Sequence, residues 1–385
     1  MPLYHRLGDI PSKRHTAHRK PGGGLYQEEL VGNLGFTGPS SLLYHLHRPT
    51  SVVRAEFLGA TEYERDPDPR LRHRHMRTSL LPAEGSWIGG RVPLLFNRDV
   101  AISHVRPTEA DDRFYRNAAG DEYLFVCEGE GRLESAFGDL TFGAGDQLVV
   151  PRGILHRLRF DAGPARLLLV ESQSWLRWPR RFRNELGQLQ EGAPFCERDI
   201  VRPAGLQTHG QRGEFELIVK QADGLHSVVL DHHPFDLVGW DGYYYPWSFS
   251  IHDFEPIVGR IHQPPPVHQF LEADGFVLCN FCPRPYDFQP DSIPAPYNHT
   301  NVGSDEVLFY ASSEFMSRKG IEYGSITLHP DGLPHGPHPG RYEASIGKPR
   351  TEELAVMIDT FRPLHAARAA LAIDDPGYVT SWLGE

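Results

Sequence analysis

The sequence contains few cysteines, and they do not form a disulfide framework. Its 385 residues include only four: Cys127, Cys196, Cys279 and Cys282. So few thiols favour free cysteines in a reducing compartment over a disulfide scaffold. Cys279 and Cys282 form one C-x-x-C pair, which alone cannot complete a tetrahedral zinc site. We interpret this pair as structural.

The sequence also lacks a long apolar run and an excess of basic residues. No run approaches the ~18 residues needed to span a bilayer. The opening MPLYHRLGDIP has no apolar centre of the kind found in signal peptides, so we expect a cytoplasmic protein. The net charge of −11 argues against nucleic acid as the main partner. We interpret the basic stretch 13–20, KRHTAHRK, as a solvated or subunit-contacting arm, with a nucleic-acid-binding tail as the alternative.

Turn residues are abundant, whereas segments with helical periodicity are scarce. The chain has 38 Gly and 33 Pro, with Val, Ile, Leu, Phe and Tyr in short runs between them. This pattern predicts a mainly β protein of jelly-roll or β-sandwich type, with one short C-terminal helix within 362–372. The predicted strand segments are 121–129, 131–142, 146–153, 165–172, 215–221, 226–232, 274–281, 306–313, 325–330 and 353–361.

A weak internal repeat relates the two halves of the chain. Residues 145–156, GDQLVVPRGILH, and residues 324–335, GSITLHPDGLPH, both end in Pro-x-Gly-x-x-His. Upstream of each copy a glutamate precedes an apolar strand: Glu122 lies before YLFV, and Glu306 lies before VLFY. Two copies of one β unit are therefore predicted.

The length of the chain supports the same division, because 385 residues exceed one comfortable hydrophobic core. We predict an N-terminal domain over 1–190 and a C-terminal domain over 191–385. The polar segment 176–195, rich in Pro and Arg, is interpreted as the connection between them.

The stretch 297–306, YNHTNVGSDE, is either a solvated turn or half of a metal site. The order His299, Asn301, Glu306 and then Pro-x-Gly-x-x-His ending at His335 resembles the cupin superfamily, with asparagine in place of one histidine. The resemblance implies a bicupin fold. Two histidines and one carboxylate are the ligand set of non-haem Fe(II) oxygenases, because they leave positions open for substrate and oxygen.

The first half lacks an equivalent ligand set. At the corresponding positions it has Tyr115, Asn117, Glu122 and His156, of which only the last two are metal-capable. We therefore expect its site to be degenerate, metal-free and structural.

Three segments of the second half also resemble the homogentisate 1,2-dioxygenase family, a group of bicupin ring-cleaving enzymes. Residues 238–262 resemble its Trp-x-Gly-x-Tyr-x-Pro segment, which leads into a strand ending at the proposed catalytic histidine. Residues 297–306 resemble its Tyr-His-x-Asn…Ser-Glu segment. Residues 327–340 resemble its Leu-His…Pro-His-Gly-Pro segment, with two histidines six positions apart. In the first half, the MPLYHRLGDIPSKRHT-like opening is similar to the short bacterial members.

This resemblance implies a cofactor, partners and residue roles. The cofactor would be Fe(II), and the partners would be O2, a small aromatic acid and further copies of the chain in a trimer or hexamer. The implied iron ligands are His299, Glu306 and His335, and the implied acid/base is His262. His329 would contact substrate or bound oxygen. The remaining substrate-binding candidates are Asn301, Tyr297 and Phe315.

The implied reaction is the opening of homogentisate with O2 to maleylacetoacetate, with His262 accepting the phenolic proton. Two departures from the family keep alternatives open. The spacing from His299 to Glu306 is one residue longer than in the longer members, and Phe315 stands where those carry a substrate-contacting tyrosine. Another hydroquinone or a gentisate-like acid is therefore an alternative substrate, and a non-catalytic ligand-binding bicupin is an alternative function. The additional His338 is interpreted as a surface turn residue.

Overall fold

The computed structural model describes residues 3–313 and 315–383, and short strands dominate this part of the chain. The strands are β1 (His5–Gly8), β2 (Gln27–Gly32), β3 (Ser40–His45), β4 (Val52–Gly59), β5 (Arg74–Arg77), β6 (Arg91–Phe96), β7 (Val100–Val105), β8 (Phe114–Asn117), β9 (Asp121–Glu128), β10 (Gly131–Ser135), β11 (Gly138–Phe142), β12 (Asp146–Val150), β13 (His156–Phe160), β14 (Arg166–Ser172), β15 (Arg212–Gln221), β16 (Gly224–His232), β17 (Leu237–Gly242), β18 (Trp247–Ser250), β19 (Gln269–Glu272), β20 (Phe276–Phe281), β21 (Arg284–Pro285), β22 (Asp305–Tyr310), β23 (Ser325–His329), β24 (Arg350–Thr351), β25 (Ala355–Thr360) and β26 (His365–Ala366).

Helical structure is sparse in the described residues. The α-helices are α1 (Arg341–Ser345) and α2 (Arg368–Leu371). The 3-10 turns are Leu34–Phe36, Thr78–Leu80, Arg180–Phe182, Glu197–Asp199, Ile251–Asp253, Pro265–His268 and Tyr378–Thr380. None of these helices is long and apolar enough to cross a membrane.

The strands assemble into three large sheets and two smaller ones. The two seven-stranded sheets have the orders β11-β10-β13-β8-β15-β16-β4 and β18-β12-β9-β14-β7-β6-β26. The six-stranded sheet has the order β19-β20-β25-β22-β23-β5, and the four-stranded sheet has the order β1-β17-β3-β2. Strands β21 and β24 form a separate pair. This arrangement confirms the predicted mainly β, bicupin fold class.

Each of the ten predicted strand segments overlaps at least one observed strand. The segment 131–142 contains two, because β10 and β11 form a hairpin whose turn ends at Gly138. Gly138 has a φ of +111°, and a Cβ atom there would lie 2.9 Å from the carbonyl oxygen of Ala204. Only glycine fits such a turn without strain.

Strand pairing crosses the predicted domain boundary at residue 190. From the C-terminal side, β15 pairs with β8, β16 with β4, β17 with β3, and β18 with β12. From the N-terminal side, β5 joins the six-stranded sheet through β23. The phenyl rings of Phe125 on β9 and Phe309 on β22 lie 5.9 Å apart in one shared core. The two halves are therefore interlocked, and the boundary at 190/191 stays a prediction.

The predicted C-terminal helix is shorter than its sequence pattern. Within 362–372, His365 and Ala366 form strand β26, which pairs with β6. Helix α2 is limited to Arg368–Leu371. Pairing with an existing sheet edge outweighs helix propensity here, because propensity is a weak preference that tertiary contacts override.

The four thiols are free, as predicted. Cys127, Cys279 and Cys282 are buried, and burial raises the pKa of Cys282 to about 11. Cys282 donates to the carbonyl oxygen of Phe254 over 3.1 Å. These contacts agree with a structural role for the C-x-x-C pair.

Candidate metal centre

The structure brings together His299, Glu306 and His335. One ligand-capable atom from each side chain lies within 4.8 Å of the other two. Glu306 is the second residue of β22, whereas the two histidines lie in the loops that flank β22 and β23. The backbones of His299 and His335 pair directly, with N···O distances of 2.8 and 2.9 Å. This bridge fixes both imidazoles beside the glutamate.

The hydrogen bonds of the two imidazoles leave nitrogens available for a metal. His299 donates from Nδ1 to the carbonyl oxygen of Tyr297 over 3.1 Å, which leaves Nε2 with a free lone pair 3.5 Å from Glu306 Oε2. His335 is buried, and neither of its ring nitrogens has a hydrogen-bond partner among the described residues. Its Nε2 lies 3.2 Å from Glu306 Oε1. Unpartnered imidazole nitrogens facing a carboxylate fit a bound metal cation.

The carboxylate of Glu306 is held in its charged form. Burial opposes ionisation, but the neighbouring imidazoles of His299, His329 and His335 outweigh it and hold the pKa of Glu306 well below its usual range. The nearby carboxylate of Glu306 is in turn the main cause that raises the pKa of His299. The site therefore presents one negative charge that a divalent cation would neutralise.

His329 supports Glu306 from behind. It lies opposite Glu306 in the β22–β23 register. Its Nδ1 is 2.8 Å from Glu306 Oε1, and its Nε2 is 3.1 Å from the hydroxyl of Tyr378. Burial lowers the pKa of His329 to about 3, so the ring is neutral, donates to Glu306 from Nδ1 and accepts from Tyr378 at Nε2. Both nitrogens are thus engaged within the protein, and the expected contact with substrate or oxygen stays a prediction.

The C-terminal residues close over the turn that carries His335. Trp382 donates from Nε1 to the carbonyl oxygen of Gly336 over 2.9 Å. The Ser381 hydroxyl lies 3.1 Å from Nε2 of His338. His338 also accepts from the backbone N–H of Lys319 over 2.8 Å. The interpretation of His338 as a surface residue is wrong: it is 1% exposed, because this C-terminal segment covers it.

His262 and Tyr297 lie on one open side of the site. The side chain of His262 is 49% exposed, and its Nδ1 lies 3.8 Å from Asp287 Oδ2. The Tyr297 ring is 5.4 Å from the His262 ring and 6.3 Å from the His299 ring. His262 and Tyr297 also line a cleft of about 340 Å³. The strand expected to end at His262 instead ends at Ser250, so an irregular segment carries this histidine.

Apolar side chains lie on the same sheet face as Glu306. Because side chains alternate along a strand, Leu308 and Tyr310 share the face of Glu306 on β22. Both belong to a small buried cluster against which Phe315 packs, with its ring 4.9 Å from that of Tyr310. Asn301 is half-buried in the loop that connects His299 to β22. The substrate contacts predicted for Phe315 and Asn301 stay predictions.

Several residues around the site were missed by sequence reasoning. Arg318 is buried and donates to the carbonyl oxygen of Gly336 over 2.6 Å. His73, from the N-terminal half, packs its ring 5.5 Å from that of His329. Asp359 lies opposite Glu306 on β25, and burial, together with the charge of Glu306, raises its pKa to about 8. The covering segment could have been identified from its aromatic residues, which stand in an otherwise polar C-terminal stretch. No local sequence pattern marks His73.

The corresponding site in the first half is closed by a guanidinium group. Glu122 Oε1 accepts from Arg91 Nη1 over 2.7 Å, from the Tyr115 hydroxyl over 2.9 Å and from Asn117 Nδ2 over 3.0 Å. His156 Nε2 lies 3.8 Å from Glu122 Oε2. The carboxylate of Glu122 therefore has a cationic partner within the chain.

Comparison with known proteins gives concordant similarities. Residues 88–251 match the family model described as homogentisate 1,2-dioxygenase N-terminal. The chain is 42% identical over 385 residues to a Saccharolobus solfataricus protein whose name assigns it provisionally to the dioxygenases and specifies no substrate, with 99% of each chain covered. It is 29% identical over 418 residues to homogentisate 1,2-dioxygenase of Bradyrhizobium diazoefficiens, covering 98% of this chain and 90% of that protein. A cupin 2 conserved barrel domain protein from Leptotrichia buccalis has a TM-score of 0.35 and 10% identity, covering 76% of this chain and 98% of that one.

Proposed function

Because this chain belongs to the homogentisate 1,2-dioxygenase family, we propose that it is an Fe(II)-dependent extradiol-type dioxygenase that opens the ring of homogentisate with O2 to give maleylacetoacetate. One ring carbon–carbon bond breaks, and both oxygen atoms are retained in the product. The observation that carries this proposal is the convergence of His299, Glu306 and His335 within 4.8 Å.

The donor set of the site fits Fe(II). Two imidazole nitrogens and one carboxylate are the ligands used by non-haem Fe(II) oxygenases, and His299, Glu306 and His335 would supply them. When bound, Fe(II) would supply Lewis acidity and a route for electrons from the aromatic ring to O2. The protein orients its ligands through the carbonyl of Tyr297 behind His299 and through His329 behind Glu306. Such supporting hydrogen bonds fix ligand orientation and tautomer.

His262 is proposed to accept the phenolic proton of the substrate. An imidazole titrates near neutral pH and is suited to this exchange. The Tyr297 ring lies 5.4 Å from the His262 ring and 6.3 Å from the His299 ring, so we place the substrate against Tyr297, next to the base and on the side of the metal ligand His299. Asp287, whose carboxylate lies 3.8 Å from His262 Nδ1, would stabilise the imidazolium that forms.

The apolar face beneath Glu306 suits an aromatic ring. Leu308 and Tyr310 lie on this face, with Phe315 packed against them. Leu308 and Tyr310 are already buried, so the partly buried Phe315 would offer the apolar area that a substrate ring covers, and binding energy would scale with that area. We propose that Phe315, Asn301 and Tyr297 line the substrate site.

The test is anaerobic loading of the protein with Fe(II), followed by O2 uptake with homogentisate. Equimolar consumption of O2 and homogentisate is expected from the wild-type protein. H335A should lose iron on desalting and show no uptake. H226A, which changes a histidine on β16 far from the site, should behave as wild type. Retention of both iron and turnover by H335A would contradict the ligand assignment, and an iron-loaded wild type without uptake for any hydroquinone would favour a non-catalytic ligand-binding role.

A second substrate is kept as a candidate because of Phe315. The hydroxyl expected from the longer family members is absent there, which leaves room for another hydroquinone or a gentisate-like acid. O2 uptake across a panel of hydroquinones distinguishes these substrates. F315Y should shift the substrate preference toward homogentisate if residue 315 selects the ring substituents. An unchanged ranking of the substrates would show that residue 315 does not select them.

We also propose that the chain assembles as a trimer or hexamer, which rests on the family resemblance. Light scattering on the purified protein measures the mass in solution. A monomeric mass at micromolar concentration would contradict this proposal without affecting the assignment of the reaction.

A further inference from the structure

A second cavity, of about 390 Å³, lies in the N-terminal half of the fold. None of its lining residues comes from the segment 262–338 that carries the candidate metal centre. Its walls combine apolar residues, among them Val31, Leu43 and Phe137, with a comparable share of polar groups. Two arginines, Arg116 and Arg152, also line it.

Arg116 has no hydrogen-bond or ion-pair partner for its charge among the described residues. It lies on β8 between Tyr115 and Asn117, which both hydrogen-bond to Glu122. Because side chains alternate along a strand, Arg116 faces the opposite side of the sheet. Among residues 3–313 and 315–383 its guanidinium makes no hydrogen bond and no ion pair, and its Nε is buried without a partner.

The nearest candidate counter-ion is already engaged. Glu29, which also lines the cavity, interacts with Arg116 only at longer range. Its Oε2 accepts from His45 Nε2 over 3.0 Å. His45 also contacts Asp236 Oδ1 over 2.7 Å from its other ring nitrogen, so the two carboxylates and the imidazole satisfy one another.

The second arginine adds positive charge without a matching carboxylate. Arg152 donates from Nη2 to the carbonyl oxygen of Gln173 over 2.5 Å, and it makes no ion pair within the described part of the chain. The cavity wall thus carries two guanidinium groups against the single carboxylate of Glu29. Arg116 is only partly buried, and its guanidinium pairs with no carboxylate of the described residues, so it is open to an anionic ligand at the cavity wall.

We propose that this cavity binds an organic acid, with its carboxylate on the guanidinium of Arg116 and its apolar body against Val31, Leu43 and Phe137. A guanidinium presents parallel N–H donors that match a carboxylate. The apolar part of the wall gives a hydrocarbon or aromatic body a surface to pack against. Ligand sites of this size typically combine apolar lining with a few convergent polar groups.

The competing occupant is a second copy of this chain. Leu34 and Phe36 lie in the 3-10 turn beside the cavity and are 60% and 66% exposed. An acidic side chain from a neighbouring copy would satisfy Arg116 equally well. This alternative predicts that changes at Arg116 alter the oligomeric state, which separates it from ligand binding.

Phenylacetate is a suitable probe, because it carries one carboxylate on an aromatic body and has no ring hydroxyl for the proposed oxygenase reaction. Binding is measured by isothermal titration calorimetry. The protein is first treated with EDTA, so that no bound metal can hold the anion. We expect saturable binding of one phenylacetate per chain, at least tenfold tighter than phenylacetamide, which lacks the charge. Equal affinity for the amide, or the absence of saturable binding, would overturn the proposal.

Three variants localise the binding. R116M should weaken phenylacetate binding at least tenfold, whereas R98M, which changes an exposed arginine, should not. A118F, which fills the cavity from its wall and leaves Arg116 in place, should weaken it as well and covers the case in which R116M fails to fold. Unchanged binding by both R116M and A118F would overturn the proposal. A change from oligomer to monomer in R116M, measured by light scattering, would assign Arg116 to a contact between copies instead.

Discussion

Replacing Tyr378 with phenylalanine tests the support of the candidate metal centre. The Tyr378 hydroxyl donates to Nε2 of His329 over 3.1 Å, and His329 in turn donates to Glu306. Phenylalanine keeps the ring and its packing against Trp382, whose ring lies 5.1 Å away. The substitution therefore removes one hydrogen bond and little else.

The expected magnitude follows from the burial of the acceptor. His329 is fully buried, so water cannot replace the lost donor. Leaving a buried acceptor unsatisfied costs about 1–3 kcal/mol. The free energy of unfolding of the metal-free protein should fall by this amount. Loss of a group that orients a metal ligand typically weakens metal affinity by about 10- to 100-fold, and we expect Y378F to lie at the lower end because Glu306 keeps its hydrogen bond from His329.

Unfolding in guanidinium chloride measures the change in the free energy of unfolding, and competition with a chelator measures metal affinity. Y243F is the matched control, since that tyrosine is exposed and its ring packs 5.7 Å from that of Tyr4, outside the metal centre. In the H329F variant the hydrogen-bond acceptor is gone. Adding Y378F to it should therefore lower the free energy of unfolding far less than Y378F does in the wild type, because the two residues form one interacting pair. Equal stability and equal metal affinity of Y378F and Y243F would refute the reasoning.

Three further predictions concern other parts of the molecule. R91M should lower the free energy of unfolding by about 3–5 kcal/mol in urea denaturation, because it leaves the buried carboxylate of Glu122 without its cation. Burial lowers the pKa of His45, but hydrogen bonds to carboxylates such as Asp236 outweigh it and raise the pKa from 6.5 to about 9. The resulting stabilisation is full below pH 6.5 and is lost as the pH rises through 9. In pH-dependent unfolding, the free energy of unfolding of the wild type should therefore exceed that of H45Q by about 3 kcal/mol at pH 6, and the difference should shrink by pH 10. E306Q should abolish iron retention after desalting, measured by metal analysis, because an amide supplies no charge to neutralise the cation.

The strands around the metal centre were predictable because their side chains are patterned by burial. Segments such as 121–129 and 306–313 combine an acidic residue with a run of β-branched and aromatic residues, bounded by turn residues. The repeated Pro-x-Gly-x-x-His turn then identified His335 as a partner of Glu306. Local sequence contains this information, because strand alternation and turn chemistry are properties of neighbouring residues.

The N-terminal strands were not predictable in the same way. Strand β4 (Val52–Gly59) is exposed along nearly its whole length, so it shows no alternation of apolar and polar residues. It forms because β16 offers a pairing edge 170 positions later. The helical pattern of 362–372 failed for a related reason, since β6 recruits His365 and Ala366 as a strand. In both cases a partner distant in sequence decides the local structure.

The candidate metal centre depends on residues from both ends of the chain. Strand β5 (Arg74–Arg77) pairs with β23, which carries His329, and His73 precedes it directly. At the other end, Tyr378 and Trp382 bond to His329 and to the turn after His335. The ligands therefore reach their final geometry only after residues some 300 positions apart have met. A site assembled in this way couples metal affinity to the folding of both halves, because the strand that carries His329 pairs with β5 from the N-terminal half.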